Sequence, residues 1–224
     1  MPHLKLLIFN SALRTGWEKR TNAQKGSEII DRTRGFNTRH IYLDECFEMD
    51  AEALKKLFSG VGGAIISSRE TISFSEQGIT KEEVSAVDVA ATRVIHFCLE
   101  RRIPLFGICY GLQIIGRYFG ERIEELDGIR CTPTEITLTI AGQKNVLFEG
   151  VPTTFDAPRK HGNAIISSRN IEVLARDKTC IQAIAVPKVD IHGVQFHPHD
   201  ELNGQLPDPP HLKPLTRFIE MATQ

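Results

Sequence analysis

The sequence predicts an α/β protein with a mainly parallel central sheet flanked by helices, and with added antiparallel strands in its second half. In the first half, short apolar segments alternate with segments of helical periodicity, as in the βαβ units of parallel sheets. In the second half, strand-like segments follow one another with little helix between them. The chain has 224 residues, 41% of them hydrophobic, so we expect a single domain over residues 1–224.

The elements of the first half follow from apolar runs and helix signals. The longest helix has the clearest start, because Thr80 is a candidate N-cap and Glu83 follows it by three residues. Apolar residues then recur at helical spacing as far as Arg102. Segments 10–25 and 68–78 are polar and predicted to be loops. We expect strands at 4–9, 39–43, 63–67 and 103–108, and helices at 27–34, 51–58, 80–102 and 111–119.

The second half is predicted from alternation and from prolines. Segment 135–140 alternates polar and apolar residues, which is typical of a half-buried strand. Further strands are expected at 171–174, 181–186 and 192–196. Four prolines between residues 207 and 214 precede a short final helix at 215–221.

The composition argues against several classes of function. A formal net charge of -1 offers no basic field for nucleic acid or for an acidic membrane. No apolar run is long enough to span a bilayer, and the first apolar segment lacks a cleavage site. The five cysteines are scattered and form no CxxC pair, which argues against a disulfide framework or a structural zinc site. We therefore expect a cytoplasmic location.

Residues 103–119 carry the strongest functional signal. An apolar strand runs into Gly107-Ile108-Cys109-Tyr110-Gly111, and a helix is predicted to follow. A nucleophile on such a turn needs small residues two positions before and after it, because strand and helix approach closely there. The helix start would stabilise a thiolate at Cys109, and the N–H of Tyr110 would face a developing oxyanion. The alternative is a tight turn around a buried cysteine.

The string from Pro104 to Gln113 resembles the nucleophile motif of class I glutamine amidotransferases, and is most similar to that of the glutaminase domain of GMP synthetase. This resemblance implies the flavodoxin-like fold of that family and Cys109 as the nucleophile that attacks the side-chain amide of glutamine. It also implies that Gln113 helps to hold the substrate, with Gly107 and Gly111 forming the backbone of the same site.

A second motif supplies a candidate base. The string Gly193-Val194-Gln195-Phe196-His197-Pro198 resembles the second signature of the family, in which the histidine matching His197 activates the cysteine. The family usually has a glutamate two residues later, and here His199 occupies that third triad position. A neutral histidine ring can accept one hydrogen bond but supplies no fixed negative charge. Asp200 or Glu201 could replace the glutamate, or a Cys109–His197 dyad could suffice.

Two further segments differ from or only weakly resemble the family. Where its members usually have Ser-Gly-Gly-Pro, this chain continues from Ser67 into Ser68 and Arg69, one of which would supply a second oxyanion N–H. His161 lies in a string that is similar to a family motif, so it is a candidate for substrate or partner contact. A turn histidine is the equally simple interpretation.

The predicted function is hydrolysis of the glutamine side-chain amide to glutamate and ammonia, without a cofactor. Since no phosphate-binding loop is found, the ammonia acceptor would be a separate synthetase subunit. An impaired amidotransferase-like binding or regulatory module and a γ-glutamyl hydrolase with the same Cys–His pair are the alternatives. A metal site from His192, His197, His199 and Asp200 and a flavodoxin-like phosphate loop at 9–14 are weaker ones.

Overall fold

A nine-stranded mixed sheet forms the centre of the part of the chain that the structure describes. The structure is a computed structural model, and it describes residues 5–11, 37–67, 81–202 and 208–224. The strand order is β2-β1-β3-β4-β11-β10-β9-β6-β7, and a separate pair joins β5 to β8. The strands are β1 (Lys5–Asn10), β2 (Thr38–Tyr42), β3 (Val61–Ile66), β4 (Leu105–Ile108), β5 (Glu124–Arg130), β6 (Thr134–Leu138), β7 (Thr154–Ala157), β8 (His161–Ala164), β9 (Glu172–Arg176), β10 (Ile181–Ala185) and β11 (Ile191–Val194).

Helices cover the sheet on both faces. They are α1 (Leu43–Phe47), α2 (Ala51–Leu57), α3 (Lys81–Arg101), α4 (Tyr110–Tyr118), α5 (Ile140–Lys144) and α6 (Lys213–Thr223), with one 3₁₀ turn at Val146–Phe148. Because side chains alternate along a strand, Leu7 and Phe9 of β1 join one core with α3 and α4. Leu6 and Ile8 point to the opposite core, which includes Phe218 of α6. Among the described helices, none is long and apolar enough to cross a membrane.

The pairing pattern confirms the predicted fold class. Strands β2, β1, β3, β4 and β11 pair in parallel. Strands β10, β9, β6 and β7 extend the sheet by antiparallel pairing. All the strands predicted from apolar runs are present with shifts of a few residues at their ends. The predicted helix at 27–34 and the predicted loop at 68–78 lie outside the described residues.

Several elements were not predicted because they carry little apolar patterning. Strand β5 is largely exposed and contains two glutamates, so no alternation marks it. The end of the predicted strand 135–140 was wrong, since Thr139 caps α5 and Ile140 begins that helix. The Thr139 hydroxyl accepts a hydrogen bond from the N–H of Gly142 at 3.0 Å, which satisfies one N–H of the first turn.

The fold places the two sequence motifs at the carboxyl ends of two neighbouring central strands. Strands β4 and β11 are parallel neighbours, and Gly107 pairs with Gly193. Their carboxyl ends therefore lie side by side, which is where open α/β sheets bind ligands. The N–H of Cys109, just past β4, donates to the carbonyl of Val194 at 2.8 Å. Cys109 and His197 are 88 positions apart (197 minus 109), yet Cys109 directly follows β4 and His197 lies in the turn after β11.

Candidate active site

Cys109 lies on a strained elbow between β4 and α4. Its backbone has φ 52° and ψ -99°, a conformation that a residue with a side chain rarely adopts. Glycine is required on both sides. A Cβ at Gly107 would lie 2.4 Å from the carbonyl carbon of Gly111, and one at Gly111 would lie 2.2 Å from the carbonyl oxygen of Ile66. The close approach of α4 to the end of β3 thus fixes the elbow.

The thiol of Cys109 is buried among polar groups. Cys109 is 2% exposed, and the side-chain amide of Gln195 donates a hydrogen bond to its Sγ at 3.4 Å. The thiol itself donates to the carbonyl of Lys160 at 3.8 Å. The start of α4 follows directly, so its dipole favours negative charge on the sulfur.

His197 lies beside this thiol and is almost fully buried. It is 1% exposed, and its N–H donates to the carbonyl of Pro158 at 2.9 Å, which fixes the turn after β11. Nδ1 of its ring lies 3.3 Å from Oδ2 of Asp200. Burial alone lowers the pKa of His197, but interactions with the Asp200 carboxylate and the Cys109 thiol raise it to about 9. The ring is therefore suited to carry a proton.

The family resemblance places His199 at the third triad position, but in the structure Asp200 lies next to the His197 ring as well. Nε2 of His199 lies 3.4 Å from Oδ1 of Asp200, and the His197 and His199 ring centroids are 5.6 Å apart. The Asp200 carboxylate therefore contacts both rings, and it is the charged group against Nδ1 of His197. A turn explains its position, because the N–H of Asp200 donates to the carbonyl of His197 at 3.2 Å.

Gln113 and Gln195 form a chain of amides that ends at the thiol. The side-chain amide of Gln113 donates to the carbonyl of Asn163 at 2.8 Å and to Oε1 of Gln195 at 3.1 Å. Gln195, which is fully buried, donates in turn to Cys109. Sequence reasoning did not assign a role to Gln195. The available signal was its place in the motif from Gly193 to Pro198, two residues before His197.

The remaining predicted residues are only partly accounted for. His161 begins β8 next to Lys160, is fully buried, and has its Nδ1 3.1 Å from the carbonyl of Asn163. Burial lowers the pKa of His161 to about 4, so its ring is neutral at pH 7. The hydroxyl of Tyr110 donates to Asp88 of α3 at 2.6 Å, while its N–H opens α4. Ser68 and Arg69 lie outside the described residues.

The metal-site hypothesis retains three of its four residues. His197, His199 and Asp200 each offer a ligand atom, and these atoms lie within 4.8 Å of one another. His192 lies on β11 and does not belong to this group. Burial lowers the pKa of His192 to about 4.

Comparisons with known proteins give the family of the chain. Residues 85–211, more than half of the chain, match the family model "Glutamine amidotransferase class-I". A GMP synthase (glutamine-hydrolyzing) from Borreliella burgdorferi is 36% identical over 109 residues, which are 47% of this chain and 21% of that protein. One subunit of the GMP synthase (glutamine-hydrolyzing) of Methanococcus maripaludis is 33% identical over 110 residues, 48% of this chain and 57% of the relative. The matched region thus spans about a fifth of one relative and just over half of the other.

Solved structures share the fold at low identity. A Thermoplasma acidophilum protein, described as one subunit of a GMP synthase, superposes with a TM-score of 0.71 at 18% identity, over 99% of this chain and 95% of that one. A glutamine amidotransferase from Thermotoga maritima gives a TM-score of 0.61 at 14% identity, over 89% and 77% of the two chains. With the family match over residues 85–211, this chain belongs to the class I glutamine amidotransferase family.

Proposed function

We propose that this chain hydrolyses the side-chain amide of glutamine to glutamate and ammonia, with Cys109 as the nucleophile and His197 as the base. The observation that carries the proposal is the elbow of Cys109, whose φ of 52° is tolerated only because two glycines let α4 approach β3 and β4. Such strain at a non-glycine residue is typical of a functional position, since the fold stabilises a conformation that the residue alone disfavours.

In the proposed first step, the proton of the Cys109 thiol moves to His197 and the thiolate attacks the amide carbon of glutamine. The Asp200 carboxylate lies 3.3 Å from Nδ1 of His197, so it stabilises the positive charge that the ring gains. Because Nδ1 faces Asp200, Nε2 is the nitrogen left for the thiol. The negative charge on the former amide oxygen is stabilised by the N–H of Tyr110 at the start of α4.

In the second step His197 returns its proton to the amide nitrogen, and the carbon–nitrogen bond breaks to release ammonia. A thioester of Cys109 and glutamate remains. Water then attacks this thioester while its proton passes to His197, and the carbon–sulfur bond breaks. The leaving thiolate takes this proton back from His197 as glutamate departs, so the enzyme returns to its starting form with one water consumed.

Gln195 is proposed as a positioning residue. Its amide donates to the sulfur at 3.4 Å, and this contact favours the thiolate over the thiol. Gln113 fixes the amide orientation of Gln195 by donating to its oxygen at 3.1 Å. Gln113 therefore acts through Gln195 in the described arrangement, in addition to the contact with substrate that the family resemblance implies.

A separate synthetase subunit is the proposed acceptor of the ammonia. The support is that the Methanococcus relatives are each named as one subunit of a GMP synthase, which indicates enzymes whose parts are separate chains. A free thiol nucleophile needs a reducing environment, so we propose a cytoplasmic location.

The direct test is glutamate release by the purified chain and by its Cys109→Ala variant, with and without a candidate synthetase. We expect release above background only from the wild type. Equal release from both proteins would overturn the proposal. A diazoketone analogue of glutamine should alkylate Cys109 in the wild type, whereas an unmodified thiol would favour a binding or regulatory module. Competition between glutamine and γ-glutamyl conjugates separates a glutaminase from a γ-glutamyl hydrolase.

A further inference from the structure

The turn after β11 combines a base, a second imidazole and a carboxylate in one place. We propose that His197, His199 and Asp200 bind a zinc-type divalent cation, and that the bound ion prevents His197 from accepting the proton of Cys109. The second half of this inference rests on the proposed function, whereas the binding itself does not.

The distances between the three side chains fit a metal ligand set. In a tetrahedral zinc site with bonds of about 2.0–2.1 Å, neighbouring ligand atoms are about 3.3 Å apart. Here Nδ1 of His197 lies 3.3 Å from one oxygen of Asp200, and Nε2 of His199 lies 3.4 Å from the other. One ligand atom from each of the three residues falls within 4.8 Å of the others. Small rotations of the side chains therefore complete the geometry.

The chemistry of the donors selects the type of ion. Two imidazoles and one carboxylate suit Zn²⁺ and other first-row divalent ions, and disfavour Ca²⁺ and Mg²⁺, which prefer oxygen ligands. Three protein ligands leave the fourth position for water. The His197 and His199 side chains are 1% and 0% exposed, whereas that of Asp200 is 30% exposed. An ion can therefore enter past the carboxylate, and the buried rings then hold it.

Binding at this position changes what His197 can do. A metal on Nδ1 takes the lone pair of that nitrogen, so the single proton of the neutral ring must sit on Nε2. Nε2 is the nitrogen left for the Cys109 thiol, and once protonated it cannot accept the thiol proton. The cation also occupies the Asp200 carboxylate, which otherwise stabilises the imidazolium. Metal and catalytic proton therefore compete for the same ring.

The replacement of the usual family glutamate by His199 is what creates this ligand set. Cys109 is not among the residues whose ligand atoms lie within 4.8 Å of one another, so its thiol is not part of the proposed ligand set. This point separates the proposal from ordinary zinc binding by a reactive cysteine. It predicts that Cys109→Ala retains the site and that a bound Co²⁺ ion shows no sulfur-to-cobalt charge-transfer band.

The test is metal binding by the full chain after removal of metal with a chelator. Zn²⁺ affinity is measured by competition with a chromogenic chelator, and Co²⁺ binding by its visible absorption, in wild type, His199→Gln, Cys109→Ala and His192→Gln. His192 is the matched control, because it is a buried histidine of β11 outside the cluster. We expect about one ion per chain, affinity weakened about tenfold or more by His199→Gln, and little change in the other two variants.

Glutamate release provides the second readout. Zn²⁺ should abolish it in the wild type with the same concentration dependence as binding, and EDTA should restore it. Zn²⁺ binding that leaves glutamate release unchanged would overturn the inference that the bound ion prevents His197 from accepting the proton of Cys109. Absence of Zn²⁺ and Co²⁺ binding in the folded wild type, or equal affinity in His199→Gln, would overturn the site. If no variant releases glutamate under any condition, the proposed function fails while the binding measurements still decide the site.

Discussion

The two halves of the candidate active site are held in place by different physical means. Cys109 is fixed by the backbone, because α4 approaches β3 and β4 so closely that Gly107 and Gly111 have no room for a side chain. His197 is fixed by a turn and by the side chain of Asp200, at 3.3 Å from its ring. A backbone contact accepts few substitutions, whereas a side-chain contact can be made from more than one position. This difference is consistent with the resemblance of the sequence to the family motifs, which holds at the elbow and differs at His199 of the histidine turn.

The largest expected effect is that of Gly111→Ala. The new Cβ would lie 2.2 Å from the carbonyl oxygen of Ile66, so α4 and β3 would have to separate. We expect a loss of about 3 kcal/mol or more in the free energy of unfolding, measured by urea denaturation.

Gly128→Ala is the matched control for this variant. Gly128 has φ 78°, and a Cβ added to it would have nothing within 4 Å, so only the backbone conformation opposes the substitution. We expect about 1 kcal/mol of destabilisation. Equal losses in the two variants would contradict the claim that steric contact, rather than local conformation, fixes the elbow.

This difference explains how much could be predicted from the sequence. The elbow is predictable because one local constraint, the close approach of strand and helix at the turn, determines Gly107, Cys109 and Gly111 within five consecutive residues. The pairing of Cys109 with His197 was predictable only through the family resemblance, since periodicity does not say that β4 and β11 are neighbours. The bridging position of Asp200 was one of several open alternatives, because a sequence pattern does not fix the rotamer of a side chain in a turn.

The second largest effect is expected for Asp200→Asn. The variant keeps the size of the side chain but removes the charge beside Nδ1 of His197. We expect glutamate release to fall about 10²-fold or more, since loss of the triad carboxylate lowers turnover strongly in comparable sites. Glu201→Gln serves as the control, because this neighbouring carboxylate is exposed, and it should change the rate less than about twofold. A larger loss for Glu201→Gln than for Asp200→Asn would show that Glu201, and not Asp200, is the third residue of the triad.

Gln195→Met tests the contact that joins the two halves. Methionine approximates the size of the glutamine but cannot donate to Sγ of Cys109, which Gln195 does at 3.4 Å. We expect kcat to fall about tenfold, which corresponds to the loss of one hydrogen bond to a charged group. Alkylation of Cys109 by iodoacetamide should slow in parallel while Tm changes little. A fall in Tm with unchanged thiol reactivity would show that Gln195 has a purely structural role.

The smallest effect is expected for Glu121, which follows the carboxyl end of α4. Its side chain makes contacts away from the Cys109 thiol. Its carboxylate accepts hydrogen bonds from the N–H of Asn170 at 2.7 Å, from the N–H of Arg169 at 3.1 Å and from Ser168 at 3.0 Å. Burial opposes ionisation, but these donors lower the pKa of Glu121 below its usual value.

A lowered pKa in the folded state means that ionised Glu121 stabilises the fold above the unfolded-state pKa, and that this contribution is lost as pH falls through the folded-state value. We therefore expect Glu121→Gln to lower the free energy of unfolding by about 1 kcal/mol at pH 7, and the difference from wild type to shrink below about pH 4. Urea denaturation at pH 7, 5 and 3.5 measures both. Glutamate release per folded molecule should stay unchanged, because Glu121 holds the turn before β9 and not the elbow. A pH-independent difference would mean that the charge of Glu121 is not what stabilises this turn.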